Sequence, residues 1–283
     1  MVHVLTYTCH LMQFQDARLE IRLPQENQSW RLFNKLMKKI DFKVLLPNVI
    51  TLAGLSFGLI AIRFALEGNF NLAIVNILFA GICDVLDGML ARLLRSESDL
   101  GAQLDSLSDF LSFGIAPGLL VYMSIFNQGS SIGAFACLAF IIFSCLRLAL
   151  YNVRLESSKA LDGAPAEHFF TGIPTPMGAV LILLPLTHSF MGYNWAFENL
   201  NFVAGYIILI SGLLVSRIPT FSIKRKQFFI HSKLGFLVLF SLVSLSMINF
   251  LWATLNLFAL IYLLTIPFSV IAWQSASNRG STQ

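Results

Sequence analysis

Long apolar segments separated by short polar turns are the feature that most constrains how this chain can fold. Hydrophobic residues make up 56% of its 283 residues and charged residues only 12%, about half the charged share of soluble domains. Segments of roughly 20 apolar residues can cross a bilayer as helices. Eight are predicted, at about 48–66, 70–92, 101–125, 131–153, 172–191, 202–221, 234–250 and 252–273. Because they lack the alternation of barrel strands, the sequence predicts an all-α polytopic membrane protein with about eight transmembrane helices.

Lysine and arginine residues are concentrated at one end of these spans. Seven precede the first span, and the others except Arg63 lie at or beyond the ends of the second, fourth, sixth and eighth spans. The hairpins at 126–131 and 188–201 contain none. Since cytoplasmic loops are enriched in these residues, we expect a cytoplasmic-membrane protein with both termini and the turn after the second span in the cytoplasm. The net charge of +4 reflects this bias, and we expect no nucleic-acid binding.

The two ends of the chain are predicted to lie outside the membrane domain. Apolar residues repeat at helical spacing over 31–43, with Lys35, Lys38 and Lys39 opposite them, a pattern typical of an amphipathic helix in the membrane interface. We expect residues 1–43 to form an N-terminal cytoplasmic segment with this interfacial helix. Residues 44–273 would form the membrane domain and residues 274–283 a cytoplasmic tail.

Four aspartates lie within the second and third predicted spans. Asp84 and Asp87 are three residues apart, and Asp105 and Asp109 are four apart, so each pair occupies one helix face. An ionised aspartate at mid-bilayer costs about 2.5–3.5 kcal/mol on insertion scales, and neighbouring carboxylates disfavour each other's ionisation unless cations hold them. Oxygen ligands select hard cations such as Mg²⁺ or Mn²⁺. The pattern therefore predicts a divalent-metal site.

Small residues beside the aspartates leave room for a ligand. Gly88 and Ala91 share the face of Asp84 and Asp87, and a phosphate group needs such clearance. Arg92 could pair with a phosphate oxygen, although an arginine at this position satisfies the positive-inside rule equally well.

The aspartates and small residues together match a known signature. It reads Asp84-x2-Asp87-Gly88-x2-Ala91-Arg92-x8-Gly101-x3-Asp105-x3-Asp109, and by these positions the chain resembles the CDP-alcohol phosphatidyltransferase family. Further motifs are similar to the phosphatidylserine synthase branch of that family. They are Leu46-Pro47-Asn48-x2-Thr51, Leu107-Ser108-Asp109-Phe110-x-Ser112-Phe113-Gly114-x-Ala116-Pro117, Leu146-Arg147-Leu148-Ala149-x-Tyr151-Asn152, Gly172-Ile173-Pro174-x-Pro176 and Ser216-Arg217-Ile218-Pro219. The likeness covers about residues 44–273.

The resemblance implies an activity and a metal cofactor. It implies transfer of the phosphatidyl group from CDP-diacylglycerol to the hydroxyl of L-serine, with release of CMP, and a homodimeric protein. By the same resemblance Asp84, Asp87 and Asp105 would bind Mg²⁺ or Mn²⁺, while Asp109 would approach the metal and act as the general base. Such metals would neutralise charge on the diphosphate as CMP leaves.

Substrate contacts are implied position by position. Asn48 and Thr51 would meet the nucleotide, Gly88 would allow its close approach, and Arg92 and Ser98 would contact phosphates. Ser98 lies in the polar turn after the second span, where serine is also a common turn and N-cap residue.

The acceptor site is a separate question, because it lies outside the signature. Serine carries a carboxylate, for which a guanidinium is the natural partner. Arg147 and Arg154, at the end of the fourth span, are our candidates, with Arg217 and Lys224 as alternatives. Each of them also satisfies the positive-inside rule without any substrate.

Two alternative functions stay open at this point. The first keeps the chemistry and changes the acceptor alcohol, most plausibly to choline, as in phosphatidylcholine synthase; an acidic or aromatic cage would favour it, and none is readable in the sequence. The second is an ion carrier that uses membrane carboxylates as a relay. Against the carrier, the aspartates cluster at one end of the spans and no internal repeat is evident.

Overall fold

Helices form nearly all of the part of the chain that the computed structural model describes, which is residues 42–126, 129–160, 170–216, 219–220, 241, 245–247 and 249–280. We number the helices α1 Phe42–Leu66, α2 Phe70–Leu94, α3 Asp99–Phe126, α4 Ser131–Ala160, α5 Thr175–Phe190, α6 Trp195–Glu198, α7 Leu200–Val215 and α8 Leu251–Gly280. Two short strands, β1 Phe170–Thr171 and β2 Pro219–Thr220, form an antiparallel pair.

The length and apolar character of these helices are those of a multi-pass membrane protein. Four segments are long and apolar enough to cross a membrane, namely Lys43–Leu66, Phe70–Leu94, Asp99–Phe126 and Ser131–Val153. Three shorter apolar helices are Thr175–Phe190, Leu200–Val215 and Leu251–Ile266. Seven predicted spans coincide with these segments. The predicted span at 234–250 and the predicted interfacial helix at 31–43 lie mostly outside the described residues.

The sixth predicted span ends earlier than expected. Helix α7 stops at Val215, and Ser216 has an extended backbone with ψ 151°. Proline lacks an N–H group and disfavours the helical conformation of the residue before it, so the helix does not continue through Pro219. Pro219 lies instead in β2, which pairs with β1. Gly172, which follows β1, has φ +84°, and a Cβ there would lie 2.5 Å from the Leu214 carbonyl oxygen. Only glycine fits this turn, which joins the entry of α5 to the end of α7.

A tight turn brings the acidic parts of α2 and α3 together. Arg95 ends α2 in the left-handed conformation with φ 50°, and the Ser96 N–H donates to the Ala91 carbonyl oxygen at 3.0 Å. Ser98 then begins α3 as its N-cap. With a rise of about 1.5 Å per residue, Asp84 lies about 15 Å before the end of α2 and Asp109 about 15 Å after the start of α3. The two residues are therefore at similar depth.

Small residues let α1 cross closely over α3. The Ser108 hydroxyl donates to the Thr51 carbonyl oxygen at 3.3 Å, and the Ser112 hydroxyl donates to the Gly54 carbonyl oxygen at 3.4 Å. A Cβ at Gly58 would overlap the Ser112 hydroxyl. This spacing of glycines four residues apart is typical of close helix pairs in membranes.

Helix α3 changes its winding directly after the last aspartate. It is α-helical over Asp99–Asp109, becomes a π-helix over Phe110–Ile115 and again over Tyr122–Phe126, with α-helix Ala116–Val121 between. Such π segments are rare and frequently occur at functional sites. The second half of α3 packs against α5, which also packs against α7 and α8, so α5 lies at the centre of the core.

Candidate active site

Three of the four aspartates form an acidic cluster between α2 and α3. Asp84, Asp105 and Asp109 each offer one carboxylate oxygen, and these oxygens lie within 4.8 Å of one another. All three side chains are half-buried. Ligand distances of 2.0–2.6 Å for hard cations allow two oxygens on one ion to lie about 4–5 Å apart. The spacing and the oxygen-only donor set of the cluster therefore fit a divalent cation.

Asp87 has a different environment from the three clustered aspartates. Its side chain is buried, with 4% of its surface exposed, and its Oδ2 accepts a hydrogen bond of 2.5 Å from the Thr51 hydroxyl. Asp87 also interacts electrostatically with Asp84, Asp105 and Asp109. The structure thus brings all four predicted aspartates into one region, and it fixes Asp87 through α1.

Thr51 links the first helix to this acidic region. Its hydroxyl donates to Asp87, and the Pro47 carbonyl oxygen, 3.1 Å away, is a second acceptor for the same proton. The residue is almost fully buried. Thr51 was predicted to meet the nucleotide, and the structure gives its hydroxyl a position from which it orients a carboxylate. The sequence motif pointed to the residue and not to this contact.

Asn48, Ser98 and Gly101 meet at the open end of the site. A Cβ at Gly101 would lie 2.9 Å from Asn48 Oδ1 and 3.0 Å from Ser98 Oγ, so a larger residue there would require these side chains to shift. Ser98 Oγ accepts a hydrogen bond of 3.1 Å from the Gly101 N–H. This is the N-cap bond that serine is suited to make.

Arg92 and Gly88 form a second part of this end. The Arg92 Nε donates to the Gly88 carbonyl oxygen at 2.8 Å, which places an exposed guanidinium over the glycine. A Cβ at Gly88 would meet only the end of the Arg92 side chain, at 3.9 Å. The face that carries Asp84 is therefore open above Gly88, and a cationic group borders it.

Arg147 is a second cation of the site and belongs to α4. Its Nη1 donates to the Thr175 hydroxyl at 2.5 Å, and its guanidinium interacts electrostatically with Asp109. The Arg154 side chain, the second candidate for the acceptor site, lies outside the described residues, as do Arg217 and Lys224. Of the four predicted cations, the structure therefore positions Arg147 beside the site.

Two polar residues near Arg147 had no predicted role. Thr175 begins α5 between Pro174 and Pro176. It occupies the unspecified position of the motif Gly172-Ile173-Pro174-x-Pro176, to which the sequence assigned no role. Tyr262 on α8 interacts electrostatically with Arg147. No local pattern pointed to Tyr262, because its position depends on how α8 packs against α5.

Comparison with known proteins identifies the family of the chain. The family model described as CDP-alcohol phosphatidyltransferase matches residues 44–216, which is more than half of the chain. The chain belongs to this family. CDP-alcohol phosphatidyltransferases use divalent metals, and the acidic cluster supplies oxygen ligands of the kind such metals need.

Several bacterial members of the CDP-alcohol phosphatidyltransferase family are similar to this chain and are named CDP-diacylglycerol–serine O-phosphatidyltransferase. One from Mycobacterium leprae is 33% identical over 80% of this chain and 74% of its own length. One from Mycobacterium bovis is 38% identical over 62% of this chain and 60% of its own length. One from Helicobacter pylori is 31% identical over 81% of this chain and 91% of its own length.

Proposed function

We propose that this protein transfers the phosphatidyl group of CDP-diacylglycerol to L-serine and releases CMP. The observation that carries the proposal is the identity of 31–38% to relatives whose names state this reaction. The acidic cluster, together with the exposed Arg92 and the half-buried Arg147, supports it. The two arginines suit two anionic substrates, a diphosphate and an amino acid.

The diphosphate would lie over Gly88, between the aspartates and the turn that joins α2 to α3. Arg92 and Ser98 would contact its phosphates, and Asn48 would contact the nucleotide. Thr51 would contribute by holding Asp87 in place. The open face above Gly88 and the tight approach of Asn48 to Gly101 support this arrangement.

Asp84, Asp87, Asp105 and Asp109 would hold the divalent metal, which we propose to be Mg²⁺ or Mn²⁺. When bound, this metal would neutralise the charge that develops on the diphosphate as CMP leaves. Asp109 would accept the proton of the serine hydroxyl while the hydroxyl oxygen forms its bond to the lipid-side phosphorus. The bond from that phosphorus to CMP breaks in the same transfer.

Arg147 would bind the carboxylate of the acceptor. It is half-buried and lies in the electrostatic field of Asp109, so an amino acid held by Arg147 would have its hydroxyl near the proposed base. Arg154, seven residues after Arg147 on α4, remains a second candidate for the same role.

The proposal includes a place in the cell and an oligomeric state. We place the protein in the cytoplasmic membrane with the acidic cluster and both termini on the cytoplasmic side, where soluble serine is available. Residues 1–43 would lie on the membrane surface through their interfacial helix, and residues 274–283 would be cytoplasmic. The family likeness extends the proposal to a homodimer, which cross-linking of the purified protein in lipid would test.

Acceptor specificity is the experiment that tests the proposed function. The purified full chain would be incubated in lipid nanodiscs with CDP-diacylglycerol, Mg²⁺ or Mn²⁺, and labelled L-serine, choline, inositol or glycerol 3-phosphate. We expect release of CMP that requires both the metal and L-serine, with chelator-treated samples as the control. Turnover of one of the other alcohols in place of serine would overturn the proposed acceptor, and absence of CMP release with all four would overturn the transferase.

A further inference from the structure

Two buried hydrogen-bond donors, on side chains that interact electrostatically, have no acceptor in the described part of the chain. They are the Nε of Arg147 and the hydroxyl of Tyr262, each with a solvent-exposed area below 1 Å² and no hydrogen-bond partner among the described residues. The two side chains interact electrostatically. Buried donors are almost always paired in folded proteins, because an unpaired one forfeits its bonds to water. Two unpaired donors on interacting side chains therefore point to a ligand.

The surroundings of this donor pair indicate the chemistry of that ligand. The Nη1 of Arg147 is already bonded to Thr175, so its Nε remains to bind an acceptor. One donor of the pair is cationic and the other is neutral, which suits an anion with two acceptor oxygens, as in a carboxylate. Asp109 also interacts electrostatically with Arg147. The ligand would thus be bound beside the proposed base.

Of the two substrates in the proposed function, serine fits this position better than the diphosphate. The diphosphate has its own candidate cation in Arg92, which lies on α2 and covers Gly88. Arg147 belongs to α4 and Tyr262 to α8, and Arg147 interacts electrostatically with Asp109. In serine a single carbon atom, Cα, separates the carboxylate from the carbon that carries the reacting hydroxyl, so both groups can be held at once.

We propose that Tyr262 determines acceptor specificity by donating its hydroxyl to the carboxylate of serine, the same group that Arg147 would bind. This inference rests on the proposed function and adds a residue to it. An acceptor without a carboxylate, such as ethanolamine, leaves both buried donors unpaired. Sites built to hydrogen-bond a substrate group reject analogues that lack the group far more strongly than apolar pockets reject a missing methylene. Tyr262 therefore acts by binding and selection and not in the proton transfer itself.

The substitution Tyr262→Phe tests this role, because it removes one oxygen atom and keeps the ring that packs against the core. Tyr206→Phe is the matched control, since the Tyr206 hydroxyl already donates to the Leu181 carbonyl oxygen at 2.8 Å. Both variants and the parent would be assayed as full chains in nanodiscs with CDP-diacylglycerol and metal. Each would receive L-serine or ethanolamine as the acceptor, and each would also be melted.

We expect Tyr262→Phe to raise the KM for L-serine by about tenfold to a hundredfold, the range for a lost hydrogen bond to a charged group. Its kcat and its KM for CDP-diacylglycerol should stay within about twofold of the parent values. The ratio of kcat/KM for serine to that for ethanolamine should fall, and this ratio is independent of how much of the sample is folded. Tyr206→Phe should leave the ratio unchanged and lower the melting temperature.

Three outcomes would overturn the inference. An unchanged serine KM in Tyr262→Phe, with a parent protein that uses serine, would remove Tyr262 from the acceptor site and leave the proposed function intact. A rise in the KM for CDP-diacylglycerol with an unchanged serine KM would assign the donor pair to the diphosphate. A parent protein that does not use serine would overturn the proposed function and this inference together.

Discussion

At the scale of single residues, Asp109 has the most demanding combination of neighbours. It belongs to the acidic cluster with Asp84 and Asp105, it interacts with Arg147, and the helix changes to π winding at the next residue. Binding a metal and accepting a proton are different roles. A carboxylate has two oxygens, so one oxygen can bind the metal while the other accepts the proton. Substitutions that keep its shape can separate the two roles.

Asp109→Asn should abolish transfer while CDP-diacylglycerol binding stays measurable. The amide keeps the size of the side chain and cannot accept the proton of the serine hydroxyl, so we expect kcat to fall by about 10²–10⁴-fold, the usual contribution of a general base. Steady-state release of CMP measures kcat, and equilibrium binding of labelled CDP-diacylglycerol measures the substrate complex.

Asp84→Asn is the comparison for that experiment. It should raise the metal concentration needed for half-maximal activity before it lowers the rate at saturating metal, because Asp84 is proposed only as a ligand. Near-normal turnover by Asp109→Asn at saturating metal would contradict its assignment as the base.

Thr51→Val should weaken the site through Asp87. The valine side chain has nearly the same shape as threonine and lacks the hydroxyl that donates to Asp87. Loss of a hydrogen bond to a charged group costs about 1.5–3 kcal/mol, and the buried carboxylate has no water to replace the donor. We expect a lower kcat/KM for CDP-diacylglycerol and a lower melting temperature of the purified protein.

Ser56→Ala is a matched control for Thr51→Val on the same helix. The Ser56 hydroxyl is exposed, and its one hydrogen bond within the described part of the chain goes to the Leu52 carbonyl oxygen, at 2.8 Å. This variant should keep both the activity and the melting temperature of the parent. Equal losses in the two variants would show that α1 is merely sensitive to substitution and would remove Thr51 from the support of Asp87.

Spacing along the sequence was sufficient to predict which carboxylates meet. Residues three or four apart share a helix face, and a short turn then brings Asp84 opposite Asp105 and Asp109. The partners of these residues could not be predicted in the same way. The bond from Thr51 to Asp87 joins residues 36 apart, and that from Arg147 to Thr175 joins residues 28 apart. Such contacts depend on where two helices cross, which no local pattern contains.

At the scale of helices, the site depends on the crossing of α1 over α3. The crossing is held by hydroxyl groups of α3 that donate to carbonyl oxygens of α1, and Gly54 and Gly58 let the backbones approach. Asp109 lies between Ser108 and Ser112 in the chain, so the same contact that joins the helices fixes the position of the proposed base. The apolar pattern predicted both helices, but it did not predict that the position of Asp109 depends on their crossing.

Gly58→Ala should therefore reduce stability and activity together. The new Cβ would overlap the Ser112 hydroxyl, lie 2.7 Å from Leu111 Cδ2 and lie 3.2 Å from Ser112 Cα. Because one of these atoms is backbone, α3 must move, and overpacking of this kind costs about 1–3 kcal/mol. A misplacement of about 1 Å at a reacting group lowers the rate on the order of 10²-fold. Thermal unfolding and CMP release measure the two effects.

Gly212→Ala supplies the control for an alanine in a helix. Gly212 lies in α7, and a Cβ there would meet no atom within 4 Å among the described residues. Alanine is favoured over glycine in a helix by about 1 kcal/mol, so this variant should be as stable as the parent or slightly more stable. A Gly58→Ala protein that matches Gly212→Ala in both measurements would contradict the role of the crossing.

Apolar patterning predicted most helix bounds to within a few residues, because a span must fill the bilayer with apolar side chains. Apolar patterning did not predict the features of the helices that depend on backbone geometry. Helix α7 stops at Val215 although the predicted span continues to 221, since Pro219 lies in a strand pair with β1. The π winding after Asp109 was also missed, because it leaves no mark on hydropathy.

At the scale of the whole molecule, the two ends of the helices differ in their cationic and aromatic residues. The turn after α2 carries Arg92 and Arg95, whereas the hairpin between α5 and α7 carries Tyr193 and Trp195 and no lysine or arginine. Arg63, the exception to the charge pattern, forms a 2.9 Å ion pair with Glu67, which neutralises it. Tyrosine and tryptophan are enriched at membrane interfaces, and cations on the cytoplasmic side. The acidic cluster belongs to the half of the molecule on the cationic side.

Single cysteines would test this orientation. Glu97→Cys lies in the turn that begins α3 and Asn194→Cys in the hairpin before α6, and both positions are exposed. A membrane-impermeant maleimide applied to intact cells should label Asn194→Cys, whereas Glu97→Cys should react only after the membrane is opened. The parent, which has four cysteines of its own, gives the background labelling in both conditions. The reverse pattern would place the acidic cluster outside the cell, away from soluble serine, and would contradict the proposed function as well as the orientation. Equal labelling of both positions in intact cells would show that the protein inserts in both orientations, which would contradict the single orientation expected from the distribution of Lys and Arg.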